Sequence, residues 1–134
     1  MDEASGDEQT GEPRDAAAVR KFQRELNSGT VALVLLAVLD RAGAPAYGYA
    51  IGKRLEEAAG GEPLVKQGTL YPVLRTLEEA GWLASEVEPS VTGPPRRYYT
   101  ITDDGRRILR RWREVWQRTR TLVDDILDAE ETGR

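Results

Sequence analysis

From Ala16 onward, apolar residues recur at helical spacing: Val19, Phe22 and Leu26, then Val31, Leu35 and Leu39. Leu33, Leu36 and Val38 widen this face, so the second half of the helix is predicted to be buried nearly all round. Asn27-Ser28-Gly29 either divides the run into two helices or only weakens one, and the Gly-Ala-Pro of residues 43–45 ends it. A second helix fits 47–59. It places Tyr47, Ala50, Ile51, Leu55 and Ala58 on one side, Lys53, Arg54, Glu56 and Glu57 on the other, and stops at Gly60 and Gly61. A third starts near Gly68, with Thr69 as N-cap and Pro72 at the third position, where its missing N–H is an orphan donor in any case. Leu70, Val73, Leu74, Leu77 and Ala80 form its inner face, and Gly81 is its stop.

Two strands follow, Trp82 to Val87 and Arg96 to Ile101, joined by a stiff loop over 88–95 rich in Pro, Gly and Ser. They read as a β-hairpin with a projecting tip. Thr102 then caps a last helix, whose Asp103 and Asp104 suit its positive N-terminus and which runs to about Asp128. Ile108, Trp112, Val115, Thr119, Leu122 and Ile126 lie 4-3-4-3-4 apart, a heptad seam flanked by Leu109, Trp116 and Val123. That face is too apolar for the edge of a small domain, so a partner helix is predicted to cover it and the chain to form a homodimer.

Helix, helix, helix, hairpin, helix is the order of a winged helix-turn-helix. The predicted fold class is mainly α (α+β): a winged helix-turn-helix with a two-stranded β-wing and a long C-terminal dimerisation helix. The second and third helices make the helix-turn-helix, although the linker over 60–67 is longer than the usual turn. The predicted organisation is a disordered acidic tail at 1–15, a DNA-binding domain at 16–101, the dimerisation helix at 102–128 and a short tail at 129–134.

Charge complicates the DNA-binding reading and position relieves it. The chain of 134 residues carries a net −4. Residues 1–15 hold six carboxylates against Arg14, a net −5, which leaves +1 for everything after them. A near-neutral body with local basic clusters still binds phosphate, because the local field matters more than the total. The chain has no Cys and no His. That removes disulfides, thiolate and imidazole metal sites, and Cys or Ser–His nucleophilic chemistry. With no glycine-rich phosphate loop and no paired carboxylates in a plausible cleft, no enzyme activity, cofactor or metal is expected. The acidic, polar N-terminus has no secretion signal, and the longest apolar run, Val31 to Leu39, is too short to span a bilayer. A cytoplasmic protein without a membrane partner is expected.

Four stretches resemble the PadR family of transcriptional regulators: Tyr47-Gly48-Tyr49, Gly68-Thr69-Leu70-Tyr71-Pro72, Leu77-Glu78-Glu79-Ala80-Gly81-Trp82-Leu83, and Gly93-Pro94-Pro95-Arg96-Arg97-Tyr98-Tyr99 with Thr102 and Gly105. The resemblance spans about residues 25–127 and is specific in combination. The single last helix looks like the small subfamily. The resemblance implies bacterial dimeric repressors of inverted-repeat operators, often released by small molecules. The acidic tail lies outside the shared pattern.

A recognition helix needs short or polar residues at the end that enters the major groove. Lys66, Gln67, Gly68 and Thr69 supply them, and Tyr71 and Arg75 follow on the outward face. Lys66 and Arg75 suit phosphate or a guanine edge, and Tyr71 a thymine methyl or a phosphate. Equally, the two bases can be plain solvated charges and Tyr71 a half-buried packing residue. Arg96 and Arg97 beside the Thr-Gly-Pro-Pro tip suit the backbone or minor groove, or else guard an edge strand against aggregation. Arg106, Arg107, Arg110, Arg111 and Arg113 read first as the solvated face of a coiled coil. The dimer seam takes Ile108, Trp112, Val115, Trp116, Thr119, Leu122, Val123 and Ile126. By resemblance to relatives in which a tryptophan here meets its mate across the two-fold axis, Trp116, with Trp112, is an expected effector site for planar aromatic molecules. The alternative to a regulator is a winged-helix module that binds proteins and no DNA.

Overall fold

A computed structural model describes the backbone of residues 2–60 and 64–132 and the side chains of 13–60 and 64–129. The chain divides into two units, residues 1–31 and 32–134. Helix α1 (Asp2–Ala42) is continuous. It takes in Asn27-Ser28-Gly29, where a break was an option, and residues 2–15, where disorder was expected. That stretch has no large apolar residue, and the helix passes through Pro13, whose missing N–H leaves the carbonyl of Gln9 without its helical donor. In the first unit Val19, Phe22 and Leu26 are exposed. There Thr30 Oγ1 donates to Leu26 O at 2.9 Å and Gln23 Nε2 to Asn27 Oδ1 at 2.7 Å, so the polar residues at the suspected break bond within the helix.

The second unit holds the rest of α1, strand β1 (Ala46–Tyr47), helix α2 (Gly48–Ala58), helix α3 (Gln67–Glu79), strands β2 (Leu83–Glu88) and β3 (Arg96–Ile101), and helix α4 (Asp103–Thr132). Its core is leucine-rich. Leu35, Leu36 and Leu39 of α1, Ile51 and Leu55 of α2, and Leu70, Leu74 and Leu77 of α3 are buried with Leu83, Tyr99, Ile101 and Leu109. These are the 3- and 4-spaced positions of each amphipathic helix and the inward positions of the strands.

Four expectations need correcting. The sheet has three strands in the order β1-β3-β2, not two. Ala46 pairs with Tyr99 and Tyr47 with Tyr98. A two-residue strand is too short to alternate, and its partner, not its own pattern, makes it a strand. Trp82 lies in the turn before β2. Thr69 is not the N-cap of α3: Lys66 is, in extended conformation and with no side-chain bond. Pro72 therefore lies deeper than expected, and the carbonyl of Gly68 forgoes its helical donor. Finally, α4 continues past Asp128 into the expected tail, to Thr132.

The C-terminus of α3 and the start of α4 behave as their residues dictate. Gly81 has φ +84°, and its N–H bonds Glu78 O at 2.9 Å while Trp82 N–H bonds Leu77 O at 3.0 Å. This paired closure of a helix end needs a left-handed residue, which glycine adopts without strain. Thr102 then does two things. Its Oγ1 accepts from Gly105 N at 3.0 Å, capping α4, and donates to Gly81 O at 2.7 Å.

Candidate nucleic-acid interface

The presentation of α3 depends on two glycines one turn apart on α2. A Cβ on Gly48 would lie 2.5 Å from Tyr71 Cε1, and one on Gly52 would strike Gln67 Oε1. Their hydrogens let the side chains of Tyr71 and Gln67 lie close over α2. Gln67 Nε2 also donates to Gly48 O at 3.3 Å. Gln67 and Tyr71 thus serve the helix crossing, while Tyr71 keeps 44% of its surface exposed. Lys66, Gly68, Thr69 and Arg75 are exposed. A Cβ on Gly68 would meet nothing within 4 Å, so the space above that turn is open.

Arg96 and Arg97 point to opposite faces of β3, as neighbours on a strand must. The Arg96 guanidinium sits 4.6 Å from the centre of the Tyr47 ring, whose other contacts are Tyr98 at 5.6 Å and Tyr49 at 6.4 Å. Arg97 lies on the face turned to α3. It donates to Ser85 Oγ at 2.9 Å, and Ser85 donates to Glu78 Oε2 at 2.6 Å. Tyr71, Arg75, Glu78, Arg97 and Tyr99 line one cleft of about 440 Å³ between α3 and the wing. Burial raises the Tyr99 phenol above its ordinary pKa; the Arg97 charge opposes this, Glu78 and Tyr71 add to it, and Arg75 opposes it.

The structure therefore gathers Tyr71, Arg75 and Arg97 and leaves Lys66, Thr69 and Arg96 outside the cleft. Gly48, Gly52, Glu78, Ser85 and Tyr99 were missed. Gly48, Glu78 and Tyr99 carried only a motif match, and nothing in the sequence pairs Ser85 with Glu78, because seven residues and a turn separate them.

On α4 the two tryptophans part company. Trp112 is half-buried and meets Trp82 edge to face, centroids 5.1 Å apart. Trp116 is 38% exposed. Ile108 is half-buried, whereas Val115, Thr119, Leu122, Val123 and Ile126 are exposed. A shallow groove of about 570 Å³ along Glu114, Gln117, Arg118, Thr121, Leu122 and Asp125 is lined by neither tryptophan. Arg106 pairs with Asp40 at 3.4 Å and Asp103 at 2.9 Å, and Arg107 with Asp104 at 2.6 Å. Arg110, Arg111 and Arg113 have no ion pair among the described residues. Among the same residues no helix is long and apolar enough to cross a membrane, and no cluster of three or more acidic, Cys or His residues could hold a metal.

Three helices closed by an antiparallel hairpin, with a basic cleft between third helix and hairpin, define a winged helix-turn-helix protein of the kind that regulates transcription. The model of the Transcriptional regulator PadR-like family matches residues 35–111, more than half of the chain. The chain belongs to that family and is a transcriptional regulator, not an enzyme. It is similar to a PadR family transcriptional regulator from Eggerthella lenta: 38% identity, 85% of this chain and 96% of that one covered, TM-score 0.74. It is also similar to a PadR-like transcriptional regulator from Bacillus cereus, at 25% identity over 77% of this chain and 96% of that one, TM-score 0.64. Bacillus subtilis PadR in complex with operator DNA shares 26% identity over 61% of this chain and 45% of that one, TM-score 0.55. No curated protein matches the sequence.

Proposed function

We propose that the chain is a homodimeric, sequence-specific DNA-binding repressor of the bacterial cytoplasm, which holds inverted-repeat operators and releases them when a planar aromatic effector binds. One observation carries the DNA-binding part: Arg75 of α3 and Arg97 of the wing open on a single cleft. Helix and wing thus offer basic groups to the same side. On this reading Lys66, Gln67, Gly68 and Thr69 enter the major groove, with Tyr71 and Arg75 at its edge, and Arg96 and Arg97 meet the backbone beside it. The Bacillus subtilis relative in complex with operator DNA supports it.

The exposed face of α4 supports the dimer. Val115, Trp116, Leu122, Val123 and Ile126 keep between 38% and 59% of their surfaces in water. Covering apolar surface gains roughly 25 cal/mol per Å², and a second α4 with the same seam, continued through Thr119 toward Trp112 and Ile108, covers it symmetrically. Trp116 is then close to its mate and forms the effector site, with Trp112 behind it held against Trp82.

Footprinting on the DNA upstream of the chain's own gene, with light scattering on the same sample, tests this reading. The expected result is a dimer that protects two half-sites about one helical turn, or a multiple of it, apart. A monomer, or a chain that protects nothing and binds without salt dependence, refutes it.

A further inference from the structure

Tyr71, Arg75 and Glu78 follow one another along a single side of α3, at the i, i+4, i+7 spacing of one helix face. Arg97 and Tyr99 lie on the face of β3 beneath them, and Ser85 of β2 pairs with Tyr99. The cleft so enclosed, about 440 Å³, has ample room for a phosphodiester group and its waters.

Its charges suit such a group. Arg75 makes no ion pair or hydrogen bond among the described residues. Arg97 spends one of its five donor hydrogens on Ser85. Two guanidinium groups and one carboxylate leave the cleft with a surplus of one positive charge, which matches a singly charged phosphodiester. The phenols of Tyr71 and Tyr99 line the same cleft and add two donors.

Glu78 looks out of place beside an anion until its bond is followed. It accepts from Ser85, and Ser85 accepts from Arg97. The carboxylate thereby fixes the orientation of the Ser85 hydroxyl, whose lone pair points at Arg97. This chain ties the wing to α3 and spares Arg97 the rotamer freedom it would otherwise lose on binding.

With α3 in the major groove and the wing beside it, the DNA strand bounding that groove must cross between them. We propose that the cleft seats one DNA backbone phosphodiester in each half-site: Arg75 and Arg97 grip its oxygens, and Ser85 and Glu78 are positioning residues that hold Arg97 for it. The proposal rests on the DNA-binding reading above.

The test uses a duplex that the wild-type full chain selects from a random-sequence pool. Its phosphates are replaced one at a time by neutral methylphosphonates. One replacement per half-site should weaken wild-type binding roughly tenfold, the loss of one charge-assisted contact. The same replacement should have no effect on Arg75→Ala or Arg97→Ala, each of which should also lower the salt slope by about 1 per protomer. Arg97→Lys, with its charge retained, should restore most of that slope. Ser85→Ala removes no charge, so it should keep the slope but lose most of its sensitivity to the one replaced phosphate; a merely structural serine would leave that sensitivity intact. Melting curves confirm that the variants fold. If wild-type protein binds and no phosphate is silent in both arginine variants, the seat is wrong and the DNA-binding reading stands. If wild-type protein selects no duplex and binds without salt dependence, both fall.

Discussion

Gly105→Ala is the sharpest test of the junction between wing and last helix. Gly105 is the third residue of α4 and is buried. A Cβ there would strike the carbonyl oxygen of Trp82 and lie 2.7 Å from Ile101 Cγ1 and 3.1 Å from the Trp82 carbonyl carbon. Carbon atoms pack at about 3.5–4.0 Å, so something must move. The Trp82 carbonyl is pinned, because it accepts from Thr102 N at 3.1 Å, and Thr102 Oγ1 holds the preceding Gly81 O at 2.7 Å. Overpacking of this kind costs about 1–3 kcal/mol, and a hydrogen bond lost in the adjustment adds about 1. The better helix propensity of alanine returns about 1. The net is a destabilisation of about 2 kcal/mol, or roughly 8 °C in Tm for a chain of this length. Circular dichroism melts at one fixed protein concentration measure it, since the Tm of the dimer proposed above would depend on concentration. Gly68→Ala is the control. Its Cβ would meet nothing within 4 Å and its φ is negative, so its Tm should hold or rise by up to about 4 °C. A Gly105→Ala chain that melts at or above the wild-type temperature refutes the reasoning.

Two further predictions concern the same unit. Gly52→Ala should displace Gln67 from α2 and weaken DNA binding more than it lowers Tm, because the neighbour that must give is the end of a flexible side chain; binding and melting on one preparation decide it, and unchanged affinity counts against a positioning role for that glycine. Tyr99 titrates above its ordinary 10.0 because it is buried. A folded-state pKa above the unfolded one means the native chain holds its proton longer, so this stability is complete below about pH 10 and is lost as pH rises through the folded value. Tyr99→Phe should flatten the fall of Tm above pH 10, and an equally steep fall in both chains would show that Tyr99 is not its source.

Much of this architecture was legible because its determinants are local. Leu70, Leu74 and Leu77 announce their burial by spacing alone, and Gly81 and Thr102 announce their helix ends by what their backbone and hydroxyl can do. The parts that escaped depend on partners distant in sequence. Ala46-Tyr47 is a strand only because Tyr98 and Tyr99 lie beside it. Arg96 and Arg97 read as one basic pair, yet the pleat sends one to an aromatic cluster and the other to the cleft. Thr69 had the composition of a cap, but the helix starts two residues before it, so its hydroxyl has no frayed end to serve. Glu78 stood in the sequence only as part of a family stretch, since only the fold brings Ser85 to it.

The junction that Gly105 tests also bears on how a signal on α4 would reach α3. The last turn of α3 closes on Gly81, whose carbonyl accepts from Thr102, and Thr102 caps α4. Trp82 follows Gly81, takes the backbone N–H of Thr102, and meets Trp112 edge to face two turns into α4. The end of α3 and the start of α4 are thus joined directly by hydrogen bonds, and Trp82 adds one aromatic contact. A change in the angle between two α4 helices would therefore carry each α3 with it, and the spacing of the two recognition helices would follow. An effector of the kind proposed would still have to prefer one spacing: a ligand bound equally well in both would shift nothing, and a swing from 1:99 to 99:1 needs about 10⁴-fold preference. Thr102→Ala removes two of the bonds and should cost about 1 kcal/mol of stability. Its larger effect should fall on coupling. On the function proposed above, the variant should bind DNA and a planar aromatic effector separately as before, while the reduction of DNA affinity by that effector shrinks severalfold. If that reduction is as large in Thr102→Ala as in the wild-type chain, this junction does not carry the signal.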